Sequence, residues 1–157
     1  MTRDMQAFFE ARAENLATMY LTRRDDLVVS RVVSPAGAAD FLVEVTREGE
    51  STGRMFGVRV RAFEHAVERA DELMVPLGGA AAAVSDAPMP YCAFVFTMED
   101  DRGYFSWLKE PATTPGSGPG LKAVREARWS KLDDGGMDRL VARVNAWYDA
   151  QHHPRAA

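Results

Sequence analysis

The sequence predicts a single mixed α/β domain, with a central sheet of about five strands flanked by helices in the order α-β-β-β-α-β-β-α. Three observations carry that prediction. Residues 39–45 and 56–61 each alternate apolar and polar side chains with period two, as half-buried strands do. Residues 91–98, YCAFVFTM, are almost continuously apolar, which suits a central strand covered on both sides. Segments near both ends of the chain carry apolar residues at helical spacing. A sheet that is apolar on both sides is buried most simply by helices on both faces.

In chain order, residues 5–21 read as an amphipathic helix with Met5, Phe8, Phe9, Leu16, Met19 and Tyr20 on one stripe. Residues 26–33 are rich in β-branched side chains and read as the first strand. Ser34, Pro35, Ala36 and Gly37 read as a turn. Strands two and three follow between 39 and 62, joined by a polar, glycine-bearing loop at 46–54. Phe63, Ala66, Val67, Ala70, Leu73 and Met74 mark a second helix, stopped by Pro76 and Gly78-Gly79. Residues 78–90, rich in Gly, Ala and Pro, read as a connection to the strand at 91–98. A turn at 99–103 leads to a last strand at 104–109, then to a loop at 111–120 and a helix at 121–131. Asp134 is placed to cap a closing helix whose stripe is Met137, Leu140, Val141, Val144, Trp147 and Tyr148. The domain spans residues 1–150, with 151–157 as a C-terminal tail.

Composition narrows the function classes. At 157 residues, 46% hydrophobic and 27% charged, the chain is long enough for one substantial core. No apolar run approaches the ~20 residues that cross a bilayer, and the N-terminus is too polar for a secretory signal. No membrane partner is expected. The single cysteine, Cys92, excludes a disulfide framework and leaves a structural zinc site without ligands, so the expected compartment is a reducing cytoplasm. A net charge of -4 gives no global attraction to nucleic acid. Of the 19 basic residues only three are lysine, a bias that fits base composition as well as function.

The hairpin of strands two and three concentrates the charge. With Asp40 set opposite Arg61, Phe41, Val43 and Val45 share an apolar face with Phe56, Val58 and Val60. The other face carries Asp40, Glu44, Arg59 and Arg61, with Leu42 among them. A set of cross-strand ion pairs accounts for such a face at roughly 0.2–1 kcal/mol per pair. The alternatives to that plainer reading are an inactive face turned toward nucleic acid and an active nuclease site.

The element order and the spacing of Asp40 from Arg59 and Arg61 resemble the PD-(D/E)XK, restriction-endonuclease-like, nuclease superfamily. Within it the chain is similar to a bacterial group known as a domain of unknown function. The resembling motifs are Ala13-Glu14 on the first helix, an aspartate-led strand from Asp40 to Val45, and Val58-Arg59-Val60-Arg61 where the group has apolar-Gln-apolar-Lys. A proline-led apolar strand from Pro90, an aromatic strand holding Trp107, and Trp147-Tyr148 on the closing helix complete them. The resemblance implies catalytic positions at Glu14, Asp40, Arg59 and Arg61, with Mg²⁺ held by Asp40 and Glu14. Hard cations take oxygen ligands, and a lysine beside them orients the attacking water and neutralises developing phosphate charge. Here Arg61 keeps the lysine's charge but cannot lose a proton, and Arg59 puts a cation with no lone pair where a Glu or Gln ligand belongs. Glu44 lies about 13 Å along the strand from Asp40 at ~3.3 Å per residue, too far to share one ion.

The resemblance therefore implies a degenerate nuclease-like domain, weak or inactive as a Mg²⁺-dependent DNA endonuclease, in nucleic-acid processing or defence. The alternative is an interaction or structural subunit, bound to a protein partner or to its own copies, that keeps the fold without catalysis. Other residues read more plainly. His65 suits packing or surface. His152-His153 lack the spacing of a metal pair. The loop around Gly116-Ser117-Gly118 lacks the spacing of a phosphate-binding loop. Cys92 reads as a small core residue. Trp107, Trp129, Trp147 and Tyr148 fall at positions that suit core or partner contact better than base stacking.

Overall fold

The computed structural model describes residues 2–33, 39–114 and 118–152, so the expected turn at 34–37, part of the 111–120 loop, and the tail from 153 lie outside the described residues. It shows a mixed α/β architecture with three α-helices and one open sheet. The strands are β1 (Leu27–Arg31), β2 (Phe41–Arg47), β3 (Glu50–Phe63), β4 (Tyr91–Thr97), β5 (Arg102–Thr114), β6 (Gly118–Ala123) and β7 (Ser130–Lys131). They lie in the order β1-β2-β3-β4-β5-β6, with the short β7 pairing β5 beside β6. Neighbours are antiparallel except β3 and β4, which are parallel and therefore need the long crossover between Phe63 and Tyr91. The sheet has seven strands rather than about five. The two extra ones are β6 and β7: residues 111–123 extend β5 and return as β6, and Ser130–Lys131 add β7, where the sequence suggested a loop and a helix.

The helices α1 (Arg3–Thr22) and α3 (Asp134–His152) cover the same face, not opposite ones. Beneath them lie Phe41, Val43, Val45, Phe56, Val58, Val60, Phe94 and Phe96, the apolar face expected of the hairpin. Thr2 caps α1 by accepting a hydrogen bond from the Met5 amide at 3.2 Å. The buried side of α1 is Ala13, Ala17 and Leu21, whereas Met5, Phe8 and Met19 are exposed at 45%, 64% and 57%. Small residues let the helix backbone approach the sheet closely, so the helix settles on its alanines and the bulkier stripe is turned outward. Phe9, Leu16 and Tyr20 pack at the margins.

Among the described residues the second face is covered chiefly over β4 and β5, with Phe63 at the end of β3 joining them. The crossover contributes Val67 and Leu73 against Val95 and Tyr104, and α2 (Gly78–Ala83) sets Ala80 near Ala93 and Leu108. The helix expected at 63–74 does not form; only a short 3-10 turn at Ala70–Glu72 appears there. Burying Val67 and Leu73 on the sheet overrides the local helical pattern, and Glu99 accepts the Ala66 amide at 3.2 Å to hold the segment open. Likewise, residues 121–131 form no helix because β6 and β7 pair with β5. None of the helices is long and apolar enough to cross a membrane, among the described residues.

The start of α3 is tightly fitted. The Gly136 amide donates to Asp133 at 2.7 Å, and a Cβ at Gly136 would stand 2.2 Å from the Lys131 carbonyl oxygen. Because the obstacle is backbone, Gly136→Ala is expected to cost about 2 kcal/mol and lower the melting temperature by about 4–8 °C in a thermal scan. At its other end α3 clamps β3. Arg54, 11% exposed, donates to the Asn145 side chain at 2.9 Å and to Asp149 at 2.6 Å. The Tyr148 hydroxyl accepts the Met55 amide at 3.0 Å and donates to the Met55 carbonyl at 2.6 Å.

Candidate functional site

The site is built where β2 begins, against the C-terminal half of β3. The hairpin turns tightly through Glu48 and Gly49, both at positive φ (54° and 78°), so Arg47 faces Glu50 and the polar loop expected at 46–54 is mostly strand. A bulge follows, with Gly53 at φ 74° and a register shift between Val45 and Thr46. Glu44 is used here: its carboxylate accepts from the Ser51 hydroxyl at 2.6 Å and the Gly53 amide at 2.9 Å. Beyond the bulge, Phe41 pairs with Val58. That register places Asp40 beside Arg59 rather than opposite Arg61, a slip of two residues that leaves both side-chain faces as expected.

Asp40 then finishes the ladder with its side chain. Its amide donates to the Val58 carbonyl at 2.8 Å, and its Oδ2 accepts the Val60 amide at 2.7 Å, where the next β2 residue would have bonded. Its Oδ1 stands 3.4 Å from Nη1 of Arg59. The carboxylate is therefore shared between a backbone amide and a guanidinium, with 22% of the side chain exposed. Arg59 is 20% exposed, and its Nε is buried with no hydrogen-bond partner among the described residues.

Arg61 lies two residues along β3 on the same side and, among the described residues, makes one hydrogen bond, from Nη1 to the Val60 carbonyl at 3.3 Å. Partial burial pulls its pKa below the ordinary arginine value, and the nearby Arg59 charge pulls it further, while Asp40 and Glu10 offset part of the effect. Arg59 thus has a 3.4 Å contact to Asp40, whose carboxylate is already hydrogen-bonded to backbone. Arg61 feels Asp40 and Glu10 without a salt bridge to either among the described residues. The orphaned buried Nε of Arg59 adds a desolvation cost.

Glu14 does not join them. It pairs with Arg31 on the helix-covered side of β1, with its carboxylate 25% exposed. Of the four positions expected from sequence, the structure brings together Asp40, Arg59 and Arg61 and leaves Glu14 with another partner. A hard divalent cation needs several free oxygens, and both oxygens of Asp40 face donors while the Glu14 carboxylate faces a guanidinium. Among the described residues no group of three or more His, Cys, Asp or Glu side chains is placed to hold a metal. The donor set present does not fit Mg²⁺; its chemistry suits an anion.

The remaining candidates have structural partners. His65 is exposed and bonds Glu99 at 3.0 Å, which raises the histidine pKa and lowers that of the glutamate. Cys92 is fully buried, and desolvation pushes its thiol pKa well up, so it is an unreactive core residue. Trp147 is 4% exposed and donates to the Gly120 carbonyl at 2.9 Å, and Trp107 lies under Arg143 at 5.6 Å. Tyr148 is held by Met55, and Trp129 is wedged between the two clusters of the second face. The side chains of the His152-His153 pair lie outside the described residues. What the sequence did not reveal is a groove beside Arg61, lined chiefly by α1, the end of β3 and the crossover. Its signal was the set of large apolar residues, Phe9, Phe63 and Met74, which helical periodicity assigned to separate helix stripes.

No family model, no curated protein and no solved structure matches this chain in the comparisons made.

Proposed function

We propose that this chain is a degenerate nuclease-like domain of the restriction-endonuclease type that holds a nucleic-acid backbone without cutting it. One observation carries the reading: Arg59 and Arg61 lie partly buried on one side of β3, and among the described residues Arg61 forms no salt bridge and the buried Nε of Arg59 has no hydrogen-bond partner. A phosphate oxygen supplies an acceptor and a negative charge together. The succession of one helix, an antiparallel meander of three strands, a crossover and a strand parallel to β3 is what supports the nuclease-like part. The same resemblance supports a role in nucleic-acid processing or defence. Cleavage is not expected, because Arg59 occupies the place of a metal-ligating oxygen and would repel the ion.

The test is a binding and cleavage assay on the intact chain. Labelled DNA should bind with an affinity that falls steeply as salt rises, and should stay uncut in Mg²⁺ or Mn²⁺. Absence of binding at low salt, or metal-dependent cutting, would contradict the reading. A second reading, a protein-binding subunit, is favoured by the exposed Met5, Phe8 and Met19 on α1 and by Val28, 53% exposed, on the edge strand β1. Native mass measurement separates the two: a monomer that retains nucleic acid supports the first, and a protein complex free of nucleic acid supports the second.

A further inference from the structure

The groove beside Arg61 has a shape and chemistry that the backbone site alone does not explain. Its volume is about 350 Å³, within the range of small-ligand sites. Phe9 of α1, Ala62 and Phe63 at the end of β3, and Met74, Val75 and Pro76 of the crossover form apolar walls. Arg61 is the cation in that wall, and Gln6 and Glu10 of α1 bring hydrogen-bonding groups to the same groove. Among the described residues β2 pairs with β3 only as far as Phe41 and Val58, and α1 and the crossover flank the stretch of β3 beyond that point. Met74 stands 81% exposed, and Phe8, 64% exposed, lies next to Phe9 in α1 with the two rings 6.2 Å apart. An aromatic and aliphatic slot joined to a guanidinium that forms no salt bridge among the described residues, with Glu10 in the same groove, suits a ligand with a flat apolar body and an anionic group beside it.

Resting on the nucleic-acid reading above, we propose that the substrate class is single-stranded: one unpaired nucleotide sets its phosphate against Arg61 and Arg59 and its base in the groove between Phe9, Phe63 and Met74. Gln6 and Glu10 then meet the polar edge of the base. In a duplex that edge is paired and the faces are stacked, so a duplex offers the site phosphates but no base. Stacking platforms of this kind accept every base, since every base has a flat face, and the resulting preference is for strandedness rather than sequence.

The experiment compares a short labelled DNA strand with the duplex of the same sequence, by fluorescence anisotropy at one low salt concentration. Wild type should bind the single strand about tenfold more tightly than the duplex. Met74→Asp, at a side chain exposed enough to leave folding intact, should cut single-strand affinity about fivefold or more and change duplex affinity far less. Arg61→Gln should weaken both forms. If the duplex binds as well as the strand, or Met74→Asp affects both forms alike, the groove is not a base site while the backbone reading survives. If neither form binds, both inferences fall.

Discussion

Replacing both arginines of the β3 pair, as Arg59→Gln with Arg61→Gln, is expected to weaken nucleic-acid binding about 100-fold. Each guanidinium is credited with about 1.4 kcal/mol of charge-assisted contact to phosphate, and the two act on the same short stretch of backbone. The salt dependence should flatten too, with the slope falling by roughly 0.7–0.9 for each cation removed. Folding should survive. Removing two partly buried like charges relieves desolvation and mutual repulsion, which offsets the loss of the Arg59–Asp40 contact, so stability should change by less than about 1 kcal/mol. A functional site held at a cost to the fold behaves this way: affinity collapses while the melting temperature stays or rises. Paired titrations over a salt series and a thermal scan would read both effects. A large loss of stability with unchanged affinity would instead make Arg59 and Arg61 supports of the sheet.

The second large effect concerns Asp40 and is chiefly one of stability. Asp40→Ala removes the acceptor of the Val60 amide and the carboxylate that pairs with Arg59, leaving a buried donor and a less compensated charge. The expected cost is about 2–3 kcal/mol, or a fall of about 4–12 °C in melting temperature. Asp40→Asn keeps an oxygen for the Val60 amide and should cost about 1 kcal/mol. Chemical denaturation of the two variants measures the difference. Equal costs would mean that the hydrogen bond to Val60 contributes little and that charge alone matters.

How far these features could be read from the residues depended on the range of the interactions that decide them. The faces of β2 and β3 were legible because alternation is local and only one side of each strand is apolar: Phe41, Val43 and Val45 had to lie with Phe56, Val58 and Val60 in any register differing by an even number of residues. The register was not, because a tight turn at Glu48-Gly49 and a bulge at Gly53 settle it, and a long polar segment hid both. So Asp40, Arg59 and Arg61 could be placed on one side, but not that Asp40 meets Arg59 and a backbone amide. Likewise α1 was legible as a helix and not in its orientation, since the alanines at 13 and 17 allow the closest approach to the sheet while Phe8 and Met19 stay outside. The same rotation brings Glu14 to Arg31 and away from the position the resemblance implied. The crossover failed as a helix because Val67 and Leu73 are worth more against Val95 and Tyr104 than in a helical stripe. The groove beside Arg61 exists only once α1, β3 and the crossover meet, a convergence that no local pattern encodes.

An anion site and a metal site give Asp40 opposite roles, and one titration separates them. In the anion account the Asp40 carboxylate competes with phosphate for the guanidiniums, so Asp40→Asn, folded and at low salt, should bind DNA about three- to tenfold more tightly than wild type, with or without Mg²⁺. Weaker binding by that variant, or a Mg²⁺-dependent cleavage by wild type that the substitution abolishes, would contradict it.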